Sequence, residues 1–337
     1  MEPAFALRRI AYLLERDGAE TYKVRAFRNA AAAIADLSAE DLGAMTPARL
    51  QKIPQVGKTS AQVISEALAG TTPTYLRKLE TTELPEMSDG AAGLFELLRG
   101  DCHSHSDWSD GGSPIREMAE AAKGLGHTYW ALTDHSPRLT VAHGLNAERL
   151  REQLVVVDEL NEELAPFRIL TGIEVDILED GSLDQEDELL AQLDVVVASV
   201  HSKLRMEAPA MTERMLRAIE SPHTDILGHC TGRIVVGRGR PPSSFDAESV
   251  FAACARTGTA VEINSRPERL DPPEDLLALA LSLNCVLTVD TDAHAPGQLE
   301  WQRFGCEKAA SAGVPAERIM NALPMEEFLS WTASHSE

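Results

Sequence analysis

Apolar residues in the first 70 positions recur at the spacing of a helix, in short stretches that end near glycine or proline. Ile10, Leu13 and Leu14 stand at i, i+3 and i+4, and Gly18 follows at a position typical of a helix end. The same pattern predicts four short helices, over residues 4–17, 23–37, 46–53 and 58–68. Between the last two lies the turn Ile53–Lys58, whose backbone N–H groups could hold a phosphate.

Beyond residue 97 the pattern changes to short β-branched runs that alternate with helical stretches. The runs are Tyr129–Thr133, Ile169–Val175, Val195–Val200, Thr224–Leu227, Thr259–Ile263 and Val286–Val289. The helical stretches are 113–124, 147–164, 246–257 and 274–283. Repeated alternation of this kind predicts an α/β fold with a parallel sheet, either closed into a barrel or wound open.

The segment between these two regions is rich in turn residues and lacks sustained periodicity. We therefore predict a helical domain at residues 1–80, a linker at 81–96 and an α/β domain at 97–337. A length of 337 residues with 44% apolar content is consistent with two domains.

Composition restricts where the protein works and what it binds. No apolar run is long enough to cross a membrane, and the N-terminus carries charges where a signal peptide would be apolar, so we expect a cytoplasmic protein without a membrane partner. The five cysteines are an odd number without C-x-x-C spacing, which favours reduced, buried thiols. A direct metal role for Cys102 or Cys230 is the lesser alternative, since each adjoins a candidate ligand.

The net charge of −22 is unevenly distributed. Residues 1–79 carry 11 Lys and Arg against 8 Asp and Glu, a net +3, whereas the remainder carries −25. An acidic protein is a poor general binder of nucleic acid, so only the first segment is a candidate for that role.

Histidines and carboxylates cluster at the ends of the predicted strands. His103 and His105 lie two residues apart, so in extended backbone both rings point to one face, and Asp292 and His294 repeat this spacing. Four further positions each follow an apolar run directly: Asp134-His135, Glu174, His201 and His229. Parallel α/β folds gather active-site residues at these strand ends, so the pattern predicts a cluster of bound cations. Of the remaining four histidines, His127, His223 and His335 are expected in solvent, and His143 in a loop that could cover the site.

The helical segment resembles the small N-terminal domain of family X DNA polymerases, through the motif L-x-x-I-P-x-V-G-x-x-x-A at 50–61. The resemblance implies a helix-hairpin-helix that contacts DNA through Lys23, Arg25, Arg28, Gly57 and Lys58. Two departures stand out: Gln55 replaces the first glycine of the hairpin, and Val63 replaces the lysine of the repair members, so no lyase reaction is expected. An ordinary solvated helix face, or a protein-docking module, is the alternative.

Residues 98–323 resemble the PHP (polymerase and histidinol phosphatase) domain, especially that of bacterial family X polymerases. The motifs are HSHSDWSDG at 103–111, LTDHS at 132–136, GIEVDIL at 172–178, ASVHS at 198–202, ILGHCTGR at 226–233, EINSRPERLD at 262–271 and DTDAH at 290–294. The resemblance implies a distorted (β/α)7 TIM-like barrel and three divalent metal ions, Mn, Zn or Fe. The implied ligands are His103, His105, Glu174 and Asp292 for one ion, Glu174, His201 and His229 for the second, and Asp110, His135 and His294 for the third.

The resemblance also implies a phosphoesterase that uses a metal-activated hydroxide, with Glu174, Asp292 and His201 in catalysis. Guanidinium groups match phosphate oxygens, and the candidate phosphate ligands are Arg233, Arg238, Arg266 and Arg269. The favoured substrate is a DNA 3′ end, cut as exonuclease or 3′-phosphatase. A small-molecule phosphatase, for instance of histidinol phosphate, and a non-catalytic repair adaptor remain as alternatives. No palm domain fits in the remaining length, so no polymerase is expected, and a monomer is favoured.

Overall fold

The computed structural model describes residues 1–336, and its backbone divides into two compact units. The first comprises Met1–Glu86 together with Ala295–Gln298, and the second comprises the rest of the described chain. Each unit has its own apolar core.

The first unit is entirely helical. Its helices are α1 (Pro3–Arg16), α2 (Thr21–Ala33), α3 (Ala39–Gly43), α4 (Pro47–Leu50), α5 (Lys58–Leu68) and α6 (Thr74–Glu80). Glu2 caps α1 by accepting hydrogen bonds from the backbone of Ala4 and Phe5. The four predicted helices are present, although α2 and α4 are shorter than expected, and α3 and α6 were not predicted. Leu7, Ile10 and Ile64 are fully buried where the helices meet.

The second unit alternates helices and strands. Its strands are β1 (Tyr129–Leu132), β2 (Arg168–Asp176), β3 (Val195–Ser199), β4 (Ile226–Leu227), β5 (Ala260–Asn264) and β6 (Leu287–Asp290). Its helices are α7 (Asp89–Leu97), α8 (Ile115–Gly124), α9 (Ala147–Leu164), α10 (Asp187–Leu190), α11 (Ala208–Ile219), α12 (Ala247–Thr257), α13 (Glu274–Ser282), α14 (Gln302–Ser311) and α15 (Met325–Ala333). Each predicted strand and helix appears within about two residues of its expected place.

The six strands form one parallel sheet in the order β1-β2-β3-β4-β5-β6, so every strand pairs with its neighbours in sequence. The resemblance implied seven strands, and residues 1–336 contain six. The segment 101–105 hydrogen-bonds both edges instead: Asp101 and Ser104 carbonyls accept from Ala131 and Thr133, and the His103 carbonyl accepts from Asp292. The Cys102 N–H donates to the Asp290 carboxylate rather than to a backbone carbonyl, so the segment is not a regular strand.

Helix α7 lies inside the segment that was predicted as a linker. Ser88 caps it through a hydrogen bond from Ala91, and Ala91 and Leu94 are buried in the core of the second unit. Two glycines at 90 and 93 weaken the helical signal of so short a stretch, which explains why periodicity missed it. The segment without helix or strand is therefore 81–88.

Among residues 1–336, no helix combines the length and apolar character that crossing a membrane requires. All five cysteines are free and buried. Burial raises the pKa of the Cys102 and Cys230 thiols well above the usual range, which favours neutral thiols over metal-binding thiolates.

Candidate metal centre

The nine expected ligands converge at the carboxyl ends of the strands. Glu174 belongs to β2, His201 follows β3, and His229 follows β4. Asp292 and His294 come directly after β6, and His103 and His105 lie on the segment that hydrogen-bonds both sheet edges. Parallel strands place these ends on one side of the sheet, so residues almost 200 positions apart in sequence meet there.

The Glu174 carboxylate is the centre of the cluster and is fully buried. Its Oε1 lies 2.9 Å from His229 Nε2, and 3.2 Å from Nε2 of both His103 and His201. Its Oε2 lies 2.7 Å from His135 Nδ1. His105 Nε2 also lies 3.7 Å from Oε2. One carboxylate thus faces five imidazoles, an arrangement suited to a ligand shared between cations.

Two further carboxylates complete the cluster. Asp110 Oδ1 lies 3.3 Å from His294 Nε2 and 3.5 Å from His135 Nε2. Asp292 Oδ1 lies 3.5 Å from His105 Nε2. Asp292 has a φ of 53°, a left-handed conformation that costs energy for a residue other than glycine and recurs at functional sites.

The ring nitrogens of the cluster are arranged to bind cations rather than to form hydrogen bonds with one another. Buried polar atoms without a hydrogen-bond partner include both ring nitrogens of His105, Nε2 of His103 and Nδ1 of His229. Buried polar atoms in proteins are ordinarily paired, and Nε2 of His103 and Nε2 of His105 lie near the carboxylates of Glu174 and Asp292, which points to an ion between them. Mixed nitrogen and oxygen donors suit transition metals such as Mn, Fe and Zn.

Electrostatics favour the same interpretation. Burial alone would raise the pKa of Glu174, but His201, His103 and His135 hold it well below its usual range. Burial, His294 and His135 lower the pKa of His105, which keeps that ring neutral and able to donate a lone pair. Burial also opposes the charge on His201, yet Glu174 and Asp176 raise its pKa to about 9. A cation that binds His201 must therefore displace a proton from its ring.

The nine residues fall into four overlapping groups whose ligand atoms lie within 4.8 Å of one another. The groups are His105-Asp110-His135-His294, His103-Glu174-His229, His103-His105-Asp292 and His135-Glu174-His201. Most of the residues in each group belong to one expected ligand set. The structure also places His105 near Asp110 and His135 near Glu174, which the expected sets did not combine. Which residue binds which ion therefore stays a prediction.

Two carboxylates behind the ligands were missed at the sequence level. Glu262 Oε1 lies 2.5 Å from His103 Nδ1, and its Oε2 accepts from the His229 backbone N–H. Asp176 Oδ1 lies 3.3 Å from His201 Nδ1. Such partners fix the tautomer and direction of a ligating imidazole. Glu262 lies on β5 and Asp176 lies at the end of β2. An acidic residue at a position where a buried strand was predicted was the signal that could have identified them.

The cluster opens into a cavity of about 350 Å³, lined by seven of the nine ligands together with Arg266 and Arg269. Arg269 Nε lies 3.1 Å from Asp292 Oδ2, and Arg266 Nη1 lies 3.5 Å from Asp292 Oδ1. Arg233 is used differently, because its guanidinium donates to the carbonyls of Arg269 and Leu270. Arg238 is exposed and does not line this cavity. Two of the four predicted phosphate ligands are thus at the site.

In the first unit, the candidate DNA contacts Lys23, Arg25, Gly57 and Lys58 are exposed. Arg28 is half-buried and forms a 2.6 Å ion pair with the buried Glu15, so its charge is already compensated. Gln55 adopts a φ of 70°, the conformation that a glycine would adopt without strain.

Two histidines that were expected in solvent are not there. His127 is buried, and burial lowers its pKa to about 4. His335 Nδ1 lies 2.8 Å from Asp225 Oδ1, with the ring against Trp331. Positions near helix and chain ends are often exposed, but His127 is enclosed by its neighbours and His335 is held by its contact with Asp225.

The chain matches two domain families. The Helix-hairpin-helix domain model matches residues 2–72, and the PHP domain model matches residues 101–266, a range that contains seven of the nine candidate ligands. A protein of Shewanella sp. (strain MR-4) named "Probable phosphatase" is 30% identical over 236 residues, or 67% of this chain and 88% of that protein. The chain belongs to the PHP domain family. The expectation of a phosphoester hydrolase is confirmed.

This PHP chain is similar to proteins of different size. It is 41% identical over 236 residues to "DNA polymerase/3'-5' exonuclease PolX" of Bacillus subtilis (strain 168), a match that covers 69% of this chain and 41% of that protein. The chain therefore spans less than half the length of that relative. A solved structure of histidinol phosphate phosphatase from Lactococcus lactis, complexed with Zn, L-histidinol and phosphate, aligns with a TM-score of 0.46 and 20% identity, over 63% of this chain and 94% of that one.

Proposed function

We propose that the protein is a divalent-metal-dependent phosphoester hydrolase that acts on DNA 3′ ends, as a 3′-5′ exonuclease or a 3′-phosphatase. The observation that carries this proposal is the cavity that joins seven candidate ligands to two arginines, in a chain that also has a helix-hairpin-helix domain. The similarity to the exonuclease-polymerase of Bacillus subtilis supports the choice of DNA.

The site would hold three divalent ions, with Mn²⁺, Zn²⁺ and Fe²⁺ as candidates. His103, His105, Glu174 and Asp292 would hold one, Glu174, His201 and His229 the second, and Asp110, His135 and His294 the third. Cations at such a site lower the pKa of water toward neutrality and neutralise charge on phosphate oxygens.

The protein's own groups would orient the ester. Arg266 and Arg269 stand beside Asp292 at the cavity wall, where their guanidinium forks can bind two non-bridging oxygens of a phosphate. Glu174, Asp292 and His201 would keep the donor atoms in place, because the first two are buried, His201 is half-buried, and all three are held by neighbours. Pre-organised positive charge of this kind stabilises the charge that develops on phosphate during the reaction.

A small-molecule phosphatase is the second candidate. The relatives named "Probable phosphatase" are matched over 88–90% of their own length by 66–67% of this chain, so about a third of this chain has no counterpart in them. A net −25 on residues beyond 79 also suits a small substrate better than a long polyanion. Histidinol phosphate is the test substrate for this alternative.

One comparison separates the candidates. Purified protein with Mn²⁺ is incubated with 5′-labelled single-stranded DNA, with 3′-phosphorylated DNA and with histidinol phosphate. Progressive shortening indicates an exonuclease, and release of phosphate without shortening indicates a 3′-phosphatase. Turnover of histidinol phosphate alone would remove DNA from the proposal.

The matched control is His103→Ala, which removes one nitrogen ligand and must abolish whichever activity appears. Elemental analysis of protein supplied with Mn, Fe and Zn and purified without chelator measures the metal content directly. Protein without stoichiometric transition metal would contradict the metal-dependent mechanism itself.

A further inference from the structure

A second cavity, of about 430 Å³, lies at the same edge of the sheet as the metal centre. One side is formed by residues Leu204–Ala208, which follow the ligand His201, and the other by residues 240–244, which follow the ligand His229. The two sides are joined, because Ser243 Oγ donates to the Leu204 carbonyl at 2.9 Å. Both walls are therefore attached to residues of the metal centre. No function has so far been assigned to this cavity.

A single hairpin separates the second cavity from the metal centre. Ile234 and Arg240 pair as antiparallel residues, with N–H to carbonyl distances of 2.9 and 2.8 Å. Ile234 lines the metal-site cavity, and Arg240 lines the second one. Val235 and Val236, between them on the hairpin, are 53% and 47% exposed. A substrate that crosses this hairpin would occupy both cavities at once and would cover the exposed valines.

The chemistry of the second cavity suits one unit of a nucleic acid. Arg205 and Arg240 provide positive charge, and no carboxylate of residues 1–336 forms an ion pair with either. Arg240 is held in place by a 2.6 Å hydrogen bond from Nε to the Gly232 carbonyl. Leu204, Met206, Pro241 and Pro242 provide apolar surface, and Glu207 is the single acidic residue of the lining.

Arg205 and Arg240 differ from the arginines of the second unit that form ion pairs with carboxylates. The residues beyond 79 carry a net −25, and many exposed arginines there pair with a glutamate, as Arg217 does with Glu213. Burial and the nearby Arg269 lower the pKa of Arg240, whereas Asp271 raises it, so its charge is compensated only in part. An anionic ligand would supply that compensation.

We propose that the second cavity binds the nucleotide next to the scissile phosphate of single-stranded DNA. Arg205 and Arg240 contact its phosphodiester, and the apolar wall contacts its sugar and base. This inference rests on the proposed action at DNA ends and explains how the enzyme would prefer a polymer over a small phosphate ester. Charged contacts bind the backbone, and apolar contacts tolerate any base, so recognition is independent of sequence.

The test compares two substrates of different reach. The p-nitrophenyl ester of thymidine monophosphate can fill only the metal-site cavity, whereas a single-stranded oligonucleotide can fill both. For Arg205→Ala we expect KM for the oligonucleotide to rise about tenfold, the loss typical of one charge-assisted hydrogen bond, with kinetics on the ester unchanged. The slope of log affinity against log salt should fall by about 0.7, the value for one phosphate contact on a single strand.

The matched control is Arg217→Ala, which removes one exposed arginine from α11 outside the cavity and should leave both substrates unaffected. Arg205→Lys should recover part of the oligonucleotide affinity, since a positive charge remains. An unchanged oligonucleotide KM in Arg205→Ala, or an equal loss on both substrates, would overturn the second cavity as a subsite while DNA cleavage stands. Wild-type protein that hydrolyses the ester but no oligonucleotide would overturn both this inference and the proposed function.

Discussion

Residues behind the metal ligands decide how strongly those ligands can bind. Glu262 contacts the His103 ring through one oxygen and the His229 backbone through the other, so a single side chain orients two candidate ligands. It is fully buried, and Asn264 Nδ2 donates to it at 3.2 Å. The pairing requires that His103 present Nε2 to the cation, since Nδ1 faces the carboxylate.

Replacing Glu262 with Gln should weaken metal binding by about 10- to 100-fold, the usual cost of losing a carboxylate partner of a ligating histidine. The physical reason is that a neutral amide polarises the His103 ring less than a carboxylate does. Competition between the protein and a chelator for Mn²⁺ or Zn²⁺ measures the affinity. Glu248→Gln, an exposed change in α12, is the control, and equal affinities in both variants would exclude a positioning role for Glu262.

His127 should make the protein less stable in acid. Its pKa in the folded state is lowered from 6.5 to about 4 by burial, so the unfolded chain binds the proton more readily in that interval. Stability is therefore retained above pH 6.5 and lost as pH falls toward 4, by about 2 kcal/mol between pH 7 and pH 5.

The variant His127→Gln lacks the titrating group and should lose less stability over the same interval. Urea unfolding of both proteins at pH 7 and pH 5 measures the difference, and acid effects on the metal ligands are common to both and cancel. An identical pH dependence in the two proteins would show that His127 does not contribute.

At the scale of elements, helix α11 ties together two loops that carry functional residues. Arg214 is 1% exposed and has no carboxylate partner among residues 1–336. Its Nε donates to the Ile177 carbonyl at 3.0 Å, and its Nη1 donates to the Ser202 carbonyl at 2.9 Å. These carbonyls directly follow Asp176 and His201, so the guanidinium fixes the spacing of that pair.

Arg214→Met should lower the free energy of unfolding by about 2–3 kcal/mol, because the buried Ile177 carbonyl and the partly buried Ser202 carbonyl lose their donor. It should also weaken metal binding, since the loop of His201 is no longer tied to the end of β2. Thermal unfolding and metal titration test the two effects together. Arg217→Met, one turn along α11 and exposed, is the control that should change neither.

A helix or strand was predictable where the spacing of its apolar residues and its length indicated the same type of element. Helix α9 begins and ends where expected, because Asn146 caps it and apolar positions continue for five turns. Strand β4 was predicted at four residues and has two. The segment 101–105 gave no strand pattern, because its hydrogen bonds go to both sheet edges and to the Asp290 carboxylate, which no local pattern encodes.

At the scale of the whole chain, the charge imbalance between the two ends predicts where DNA binds. Lys23, Arg25 and Lys58 are exposed in the only segment with net positive charge. Reversing Lys23 and Arg25 to Glu in the intact chain should lower affinity for DNA at least tenfold and reduce its salt dependence, because phosphate contacts release counterions.

Fluorescence anisotropy with labelled single-stranded DNA at several salt concentrations measures this effect. Reversal of Arg77 and Lys78, exposed on α6, changes the net charge equally and is the control. Equal losses in the two variants would mean that the net charge of the segment, rather than Lys23 and Arg25 in particular, governs DNA binding. Activity on a small phosphate ester should be unchanged in both.

The sequence by itself determined the α/β order of elements and the helical first segment, because hydrophobic period is a local property. Strand-end position marked eight of the nine candidate ligands, and the resemblance to the PHP domain implied the ninth, Asp110. Only the tertiary structure decided that Glu174 faces five imidazoles, that Glu262 and Asp176 stand behind ligands, and that Arg266 rather than Arg233 reaches the cavity. Those relations join residues far apart in the chain. They depend on how the strands pack side by side, which spacing in sequence does not record.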